Sequence, residues 1–362
     1  MSFKLEQVSS VVGGNTHIYP LDLTLTAGSL NVLLGPTQAG KTSLMRLMAG
    51  LDKPTTGDIS WNGDRMNDVP VQKRNIAMVY QQFINYPAMT VYENIASPLR
   101  IRGLSNKAID KKVMEASELM KLTPMLQRKP LELSGGQQQR CALARALVKD
   151  ADLVLLDEPL ANLDYKLREE LREEMPKIFT ESGAVFVYAT TEPTEALLLG
   201  GNTVAMSEGR IAQFGKTLDV YRNPKDMTTA RVFSEPPMNF LKITKQGGEL
   251  HVQGEQTRTA TGAFTTLDNG QYTVGIRPNH LMLHRPSDDA LAIEVTVSVV
   301  EITGSESFVH LLHGDQRWVS LAHGIHHPES GSTLTVYVDP SNAYIFDENE
   351  QMVRAPELAK VA

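Results

Sequence analysis

Gly35-Pro36-Thr37-Gln38-Ala39-Gly40-Lys41-Thr42 lies between an apolar run, Leu30 to Leu34, and a helix-like stretch that begins at Ser43. It fits the pattern G-x-x-x-x-G-K-[ST], in which glycines let backbone N–H groups turn toward phosphate oxygens. In such a loop Lys41 reaches the β and γ oxygens, and the Thr42 hydroxyl completes the shell of Mg²⁺. The alternative is an ordinary glycine turn, but a chance match in a chain this long arises roughly one time in a hundred. We therefore predict that a nucleoside triphosphate is bound by Gly35, Pro36, Thr37, Gln38, Ala39, Gly40, Lys41, Thr42 and Ser43.

Two later segments remove the alternative of an ordinary turn. An apolar run, Leu153 to Leu156, ends on Asp157-Glu158-Pro159, and such runs are typical of strands buried in a parallel sheet, whose carboxyl ends bind ligands. Asp157 is then expected to hold Mg²⁺, and Glu158 to polarise the attacking water as a general base. The turn Ser134-Gly135-Gly136 opens a helix and offers backbone donors for a γ-phosphate, while Ser134 also fits an ordinary N-cap.

Along the chain the phosphate loop is followed by Gln81, then by the segment 133–137 and then by Asp157-Glu158-Pro159. In this order of motifs the chain resembles the ATP-binding-cassette (ABC) ATPases. In that family two subunits pair head to tail, so that the phosphate loop of one and the Ser-Gly-Gly-Gln of the other enclose each ATP. The resemblance implies that ATP and Mg²⁺ are bound, with Thr42, Gln81 and Asp157 at the metal and Glu158 and Gln81 in catalysis. It also implies a segment that contacts the opposite ATP, made of Leu133, Ser134, Gly135, Gly136 and Gln137. Asn162, Leu163 and Asp164 resemble the loop that crosses to the opposite site.

The pattern of predicted secondary structure changes near residue 235. Before this point strands and helices alternate, which predicts an α/β layer with a largely parallel sheet. The predicted elements are strands at 76–80 and 185–189 and helices at 106–121 and 163–179. Ser234-Glu235-Pro236-Pro237 then precludes a helix, and short alternating strands follow at 272–276, 293–300, 308–312 and 334–338. We predict a nucleotide-binding domain at 1–235, with a helical subdomain at about 85–150, and an all-β, barrel-like domain at 236–362.

Composition excludes several classes of protein. The net charge of −7 and a pI near 5.8 give no electrostatic argument for nucleic acid or anionic lipid. No stretch approaches the roughly 20 apolar residues that span a bilayer, and the first residues lack the apolar core of a signal peptide. The single cysteine, Cys141, precludes an internal disulfide and is predicted to be an inert packing residue in a reducing cytoplasm.

The residues around the motifs indicate which subfamily of ABC ATPases the chain resembles. Met78-Val79-Tyr80-Gln81 and the segment 86–95 resemble the glutamine loop of carbohydrate and polyol importers of the maltose-importer type. The segments 238–241 and 274–281 resemble the joins of the oligonucleotide-fold-like (TOBE-type) regulatory domain of the same importers. This implies an ATPase at the cytoplasmic face of the membrane, with two permease subunits and an extracytoplasmic solute-binding protein as partners. Nucleic acid is disfavoured for the β domain, because binding it requires exposed aromatic residues and a basic groove.

Two departures from the family pattern matter. Thr190-Thr191-Glu192 follows the strand at 185–189 where the importers carry Thr-His-Asp, so Thr191 stands at the position of the switch histidine. A Thr hydroxyl is shorter and carries no positive charge, and losing one such transition-state contact slows chemistry about 10² to 10³-fold. Glu192 is not expected to replace the histidine, because it adds negative charge beside phosphate. The aromatic residue that stacks on adenine is also missing near Val12, and we assign neither His17 nor Tyr19 to that role.

The leading hypothesis is an ATP-hydrolysing subunit of a carbohydrate or polyol importer, paired with a second, histidine-containing ATPase. The segments 80–86 and 189–193 look closest to the glycerol importers of this class. One alternative is a module that binds ATP and closes the dimer but scarcely hydrolyses it. The other is a soluble ABC ATPase acting on nucleic acid or ribosomes, which is disfavoured because such chains commonly carry two cassettes and this one carries a single phosphate loop.

Overall fold

The computed structural model describes residues 2–82, 84–161, 163–252 and 256–356. The chain divides into two compact units, Met1–Thr217 and Leu218–Ala362. No helix within the described residues is long and apolar enough to cross a membrane.

Among its described residues, the first unit has ten strands and six α-helices. The strands are β1 (Ser2–Val12), β2 (Asn15–Thr26), β3 (Leu30–Leu34), β4 (Thr56–Trp61), β5 (Asp64–Arg65), β6 (Ile76–Val79), β7 (Leu153–Asp157), β8 (Val185–Thr190), β9 (Asn202–Ser207) and β10 (Arg210–Lys216). The helices are α1 (Lys41–Ala49), α2 (Val91–Ile101), α3 (Asn106–Leu119), α4 (Gly135–Leu147), α5 (Tyr165–Ser182) and α6 (Pro193–Leu199). The alternation of strands and helices predicted from the sequence is confirmed.

A six-stranded sheet in the order β10-β9-β3-β8-β7-β6 forms the centre of this unit. The pairs β9–β3, β3–β8, β8–β7 and β7–β6 are parallel, and β10 adds an antiparallel edge. Every residue of β3, β7 and β8 is buried, as expected for continuous apolar strands covered on both faces. The carboxyl ends of these three strands therefore meet at one edge of the sheet, where Gly35, Glu158 and Thr191 follow them.

A second, antiparallel sheet in the order β2-β1-β4-β5 packs on the first through a shared apolar core. The core includes Phe3 and Leu25 from the antiparallel sheet, Leu44 from α1 and Leu155 from the parallel sheet. Helix α1 is thereby held between the two sheets, which fixes the direction from which its first turn approaches the edge of β3.

Side-chain caps are present at the starts of three helices of this unit. Thr90 caps α2 and Ser134 caps α4, each in a reciprocal capping box with the glutamate or glutamine three residues later, and Asp164 caps α5. The N-cap role expected for Ser134 is confirmed, and the helix begins at Gly135. Helices α2, α3 and α4 lie within the range expected for the helical subdomain.

The second unit is largely β structure. Its elements are α7 (Thr217–Arg222), α8 (Met227–Val232), β11 (Asn239–Gln246), β12 (Glu249–Val252), β13 (Arg258–Thr259), β14 (Gly270–Ile276), β15 (Leu281–Met282), β16 (Leu291–Ile302), β17 (Glu306–His313), β18 (Gln316–His323), β19 (Thr333–Val338), β20 (Tyr344–Phe346) and β21 (Met352–Arg354). Two antiparallel sheets, β13-β12-β11-β14-β20-β21 and β15-β19-β16-β17-β18, enclose one apolar core that contains Phe264 and Trp318. This arrangement is the barrel-like all-β domain predicted from the sequence.

Arg277 joins the helices of the second unit to its β structure. Its guanidinium, in a residue only 5% exposed, donates to the carbonyls of Phe233 (2.8 Å) and Tyr221 (3.0 Å) and to the Tyr344 hydroxyl (3.2 Å). These contacts group residues 218–234, which precede the predicted boundary at 235, with the second unit.

Candidate nucleotide-binding site

The predicted phosphate loop connects the end of β3 to the start of α1. Gly40 adopts a left-handed conformation with φ of 97°, and a Cβ on it would lie 2.9 Å from Ile18 Cδ1. A Cβ on Gly35 would lie 2.3 Å from the carbonyl oxygen of Met206. Glycine is therefore required at both ends of the loop, by conformation and space at Gly40 and by space at Gly35.

Lys41 lies at the first position of α1 and is 6% exposed. Its ammonium donates to the carbonyls of Gly35 (2.6 Å) and Pro36 (3.0 Å), so it is folded over the loop. Burial lowers the pKa of Lys41, and the negative charges of Glu158 and Asp157 oppose that shift. The buried cation thus faces the position of the phosphates from the inner side of the loop.

Asp157 ends β7 and is 3% exposed. It accepts a hydrogen bond of 2.8 Å from the Thr42 hydroxyl, which joins two of the residues predicted to hold the metal. Burial raises the pKa of Asp157, while the bond from Thr42 and the charge of Lys41 lower it. A carboxylate and a hydroxyl in contact form an oxygen donor pair of the kind that Mg²⁺ prefers beside substrate phosphates.

Glu158 follows Asp157 in a left-handed conformation with φ of 47°, and its N–H donates to the Ala189 carbonyl at 3.0 Å. Its carboxylate accepts a hydrogen bond of 2.9 Å from the amide of Gln81, which comes from beyond the end of β6. Burial raises the pKa of Glu158, and Lys41 opposes this shift. The two residues expected in catalysis are therefore in direct contact at the edge of the sheet.

Lys41, Thr42, Gln81 and Glu158 line one cavity of about 730 Å³, whereas Gly35 and Asp157 are not among the described residues that line it. The cavity is also lined by Thr191, which follows β8, so the structure brings the residue at the switch-histidine position to the same space as Lys41 and Glu158. Thr37, Gln38, Ala39, Gly40, Thr42, Ser43 and Gln81 complete the phosphate end of the lining.

The rest of the lining comes from the first residues of β2 and from the turn between β9 and β10. His17 and Tyr19 are among these residues, and the Arg210 guanidinium lies 3.5 Å from the centre of the Tyr19 ring. Val12, at the position where the family carries its aromatic residue, is 59% exposed and is not among the described residues that line the cavity.

The predicted signature segment lies elsewhere. Among the described residues that line the cavity, none belongs to 133–137, although Ser134 and Gln137 form the capping box at the start of α4. Of the predicted crossing loop, Leu163 is buried and Asp164 accepts a bond from the Leu167 N–H at 3.0 Å, whereas Asn162 lies outside the described residues. This chain alone thus presents a phosphate loop and a signature segment at separate places.

Sequence reasoning missed Gln139 and Asn85. The Gln139 amide, 2% exposed, donates to the Pro159 carbonyl at 2.6 Å and so ties α4 to the turn after Glu158. The Asn85 amide donates to the Gln138 carbonyl at 2.8 Å and ties the segment after Gln81 to the same helix. The run of three glutamines, Gln137 to Gln139, was the only local signal for these contacts.

The site combines a phosphate loop that requires glycine with a buried lysine. It also holds a hydroxyl paired with a carboxylate, and a second carboxylate beyond the end of a parallel strand. This combination is that of a phosphate-loop ATPase. Residues 18–161 match the ABC transporter family and residues 274–346 match the TOBE domain. The chain belongs to the ABC transporter family, as an ATPase with a C-terminal TOBE domain.

The relatives agree with this placement. The chain is 36% identical over 351 residues, 96% of its length and 93% of the relative's, to the sn-glycerol-3-phosphate import ATP-binding protein UgpC of Vibrio vulnificus (strain YJ016). It is 34% identical over 348 residues, 95% of its length and 97% of the relative's, to the protein of the same name from Escherichia coli O157:H7. A dimeric structure of the ATP-binding cassette MJ0796, in a post-hydrolysis state bound to ADP and Pi, superimposes with a TM-score of 0.55 at 28% identity, covering 59% of this chain and 98% of that one.

Proposed function

We propose that this chain is the ATP-binding and ATP-hydrolysing subunit of an importer for a carbohydrate or polyol, and that its own site turns over slowly. The observation that carries the proposal is the cavity in which Lys41, Glu158 and Thr191 meet. Chemistry of this kind depends on donors that face the charge developing in the transition state. A neutral hydroxyl on a short side chain supplies less of that stabilisation than an imidazole.

Within this site each side chain has a distinct task. Lys41 leaves the loop carbonyls and binds the phosphates, which replace its present acceptors with charged ones. Glu158 accepts a proton from the attacking water, and Gln81 orients the Glu158 carboxylate through its 2.9 Å bond. Thr42, Asp157 and Gln81 are the residues that would hold Mg²⁺, whose role when bound is to neutralise charge on the β- and γ-phosphates.

We further propose that the chain works as one half of a head-to-tail ATPase dimer. The separation of residues 133–137 from the cavity supports this arrangement, because the N-terminus of α4 then remains available to an ATP held by another chain. The cassette MJ0796, which shares 28% identity with this chain, is dimeric in its post-hydrolysis state. A partner that carries the switch histidine would give one fast and one slow site.

The membrane permease subunits are proposed to dock in a second cavity of the first unit, of about 640 Å³. It is lined by both apolar and cationic side chains, among them Met78, Tyr86, Ile101 and Arg145. Arg145 lies 4.8 Å from the centre of the Tyr86 ring, in the segment that follows Gln81. A permease helix bound there would contact the same segment that carries Gln81, which supports the expected coupling of transport to hydrolysis.

The transported molecule follows only from the relatives, which are named for sn-glycerol-3-phosphate import. We propose glycerol or a glycerol derivative, delivered by a solute-binding protein outside the membrane, with this chain peripheral at its cytoplasmic face. Thr191 also favours the alternative, a module that binds ATP without hydrolysing it. The alternative differs from the proposal only in the rate of ATP hydrolysis at the site of this chain.

The experiment uses the importer purified with its permeases and both ATPases in lipid vesicles. Ser134→Arg in this chain is expected to lower ATP turnover of the complex more than tenfold, since it removes the opposing face of the fast site, whereas Lys41→Ala disables only the slow one. Equal losses from the two variants would contradict the asymmetric dimer. Stimulation of turnover by the solute-binding protein loaded with glycerol or with sn-glycerol-3-phosphate would support the proposed substrate and show which of the two is carried. Stimulation by neither would contradict the proposal of glycerol or a glycerol derivative.

A further inference from the structure

A network of polar side chains lies behind Thr191 in the first unit. Glu195, in the first turn of α6, is 5% exposed, and its Oε2 accepts hydrogen bonds from the Thr190 hydroxyl at 2.6 Å and the Tyr188 hydroxyl at 3.1 Å. The Thr190 hydroxyl oxygen in turn accepts a bond of 3.0 Å from the Glu192 N–H. The Thr190 hydroxyl thus links the residues on either side of Thr191 to one buried carboxylate, since it donates to Glu195 and accepts from the Glu192 N–H.

Arg172 of α5 holds the acidic members of this network. Its side chain is 11% exposed, and its guanidinium contacts Glu195 at 2.9 Å, Glu192 at 3.0 Å and Glu169 at 2.7 Å. A buried carboxylate such as that of Glu195 is tolerated only when it is paired, so the pair with Arg172 is required by its burial. Glu192 is the exception, because its side chain is 39% exposed and needs no partner for solvation.

The pairing of Glu192 has a consequence for the nucleotide site. Thr191 lines the cavity, whereas Glu192, the next residue, is not among the described residues that line it. Glu192 and Glu195 are nevertheless among the charges that raise the pKa of Glu158, so their field reaches the site. A Glu192 carboxylate that lost its 3.0 Å bond to Arg172 would keep only the more distant Arg168 guanidinium at 3.9 Å. It would then be attracted to the Lys41 ammonium and would repel a γ-phosphate.

We propose that Arg172 is a positioning residue that holds the Glu192 carboxylate away from the γ-phosphate and so gives the site its preference for ATP over ADP. The inference rests on the proposed ATP site. Because ATP carries one phosphate more than ADP at that position, a released Glu192 weakens ATP binding more than ADP binding. A role in stability alone would affect both nucleotides equally and would not depend on the charge of Glu192.

The test measures the dissociation constants of ATP and ADP, each with Mg²⁺, by titration calorimetry on the full chain. All variants carry Glu158→Gln so that ATP is not consumed. Arg172→Gln is combined with Glu195→Gln, so that no buried carboxylate is left without a partner, and Glu192→Gln is then added. Two variants are the controls. One is Glu192→Gln without the changes at Arg172 and Glu195, and the other is Lys177→Gln, at an exposed position on the helix that carries Arg172.

The double change at Arg172 and Glu195 is expected to lower the affinity for ATP relative to ADP about tenfold. Adding Glu192→Gln is expected to restore the ratio to within about threefold of the parent, and both controls should leave it unchanged. An unchanged ratio in the double variant, or a loss that Glu192→Gln does not reverse, would overturn the inference.

Thermal unfolding identifies variants that fail to fold. If the double variant fails, Arg172→Lys takes its place, since one ammonium cannot hold three carboxylates in the geometry of a guanidinium. The ratio should then fall about threefold and recover with Glu192→Gln, and the same two outcomes would overturn the inference. Failure of the Glu158→Gln parent to bind ATP would instead contradict the proposed function, and with it the basis of this inference.

Discussion

The amide of Gln81 donates a hydrogen bond of 2.9 Å to the carboxylate of Glu158, across 77 positions of sequence. The bond joins the segment after β6, which also borders the second cavity at Tyr86, to the residue proposed as general base. The orientation of the Glu158 carboxylate is therefore tied to the position of that segment.

Gln81→Ala is expected to lower turnover about 10 to 100-fold while leaving the affinity for ATP measured without Mg²⁺ within about threefold, because the amide orients a base and is proposed to reach the nucleotide only through the metal. Steady-state hydrolysis and nucleotide titration measure the two quantities. Gln82→Ala, at the exposed neighbouring position, is the matched control. A variant at Gln81 that loses ATP binding and turnover in parallel would show that the residue serves binding instead.

Gly40→Ala is expected to abolish measurable ATP binding. The new Cβ would meet Ile18 at 2.9 Å in a backbone with φ of 97°. Gly63→Ala is the matched control, since Gly63 has a φ of 94° but nothing within 4 Å of its Cβ position. Both variants should lose about 1 kcal/mol of stability from the left-handed backbone, measured by denaturant unfolding. Retention of ATP binding by Gly40→Ala would contradict the tight geometry of the loop.

The plot of kcat/KM against pH is expected to be bell-shaped, with Glu158 setting the acid limb and Lys41 the alkaline limb. The bell should be narrower than it would be if these two residues had their ordinary pKa values. Burial raises the pKa of Glu158 above 4.5, and the base works only when ionised, so activity falls as the pH drops through that raised value. Burial lowers the pKa of Lys41 below 10.5, so activity falls again as the ammonium loses its proton. Thermal unfolding at each pH separates these losses from denaturation. An acid limb centred at or below pH 4.5 would contradict the environment described for Glu158.

Tyr19→Ala is expected to weaken ATP and ADP about equally, by roughly three- to tenfold, because its ring lines the cavity and is held by the Arg210 guanidinium 3.5 Å from its centre. Val12→Ala should have no effect, and Tyr19→Phe should retain the wild-type affinities. Unchanged affinities in Tyr19→Ala and His17→Ala would remove both residues as partners of the base.

The parts of the fold that depend on local pattern were predicted from the sequence. The apolar run Leu30 to Leu34 is β3, the run from Leu153 is β7, and the turn at Ser134 caps α4. Each of these signals lies within a few residues, since burial and capping act over that distance.

The parts that depend on long-range contacts were not predictable. Four such contacts join residues between 20 and 56 positions apart in the sequence. They are the bonds of Gln139 and Asn85, the bond of Arg277 to Tyr221 and the pairing of Arg172 with Glu192. No local spacing encodes such contacts, because they depend on how the elements pack. The role of Thr191 stays a prediction, as does that of Asn162.

Thr191 is proposed to make ATP hydrolysis slow at the site of this chain. Steady-state ATP hydrolysis by the purified chain and by Thr191→His, with Glu158→Gln as the blank, tests this proposal. We expect a wild-type rate near the blank and a rise of about 10²-fold with the histidine. Rapid hydrolysis by the wild-type chain that the histidine does not increase would contradict it and would favour a symmetric dimer of this chain.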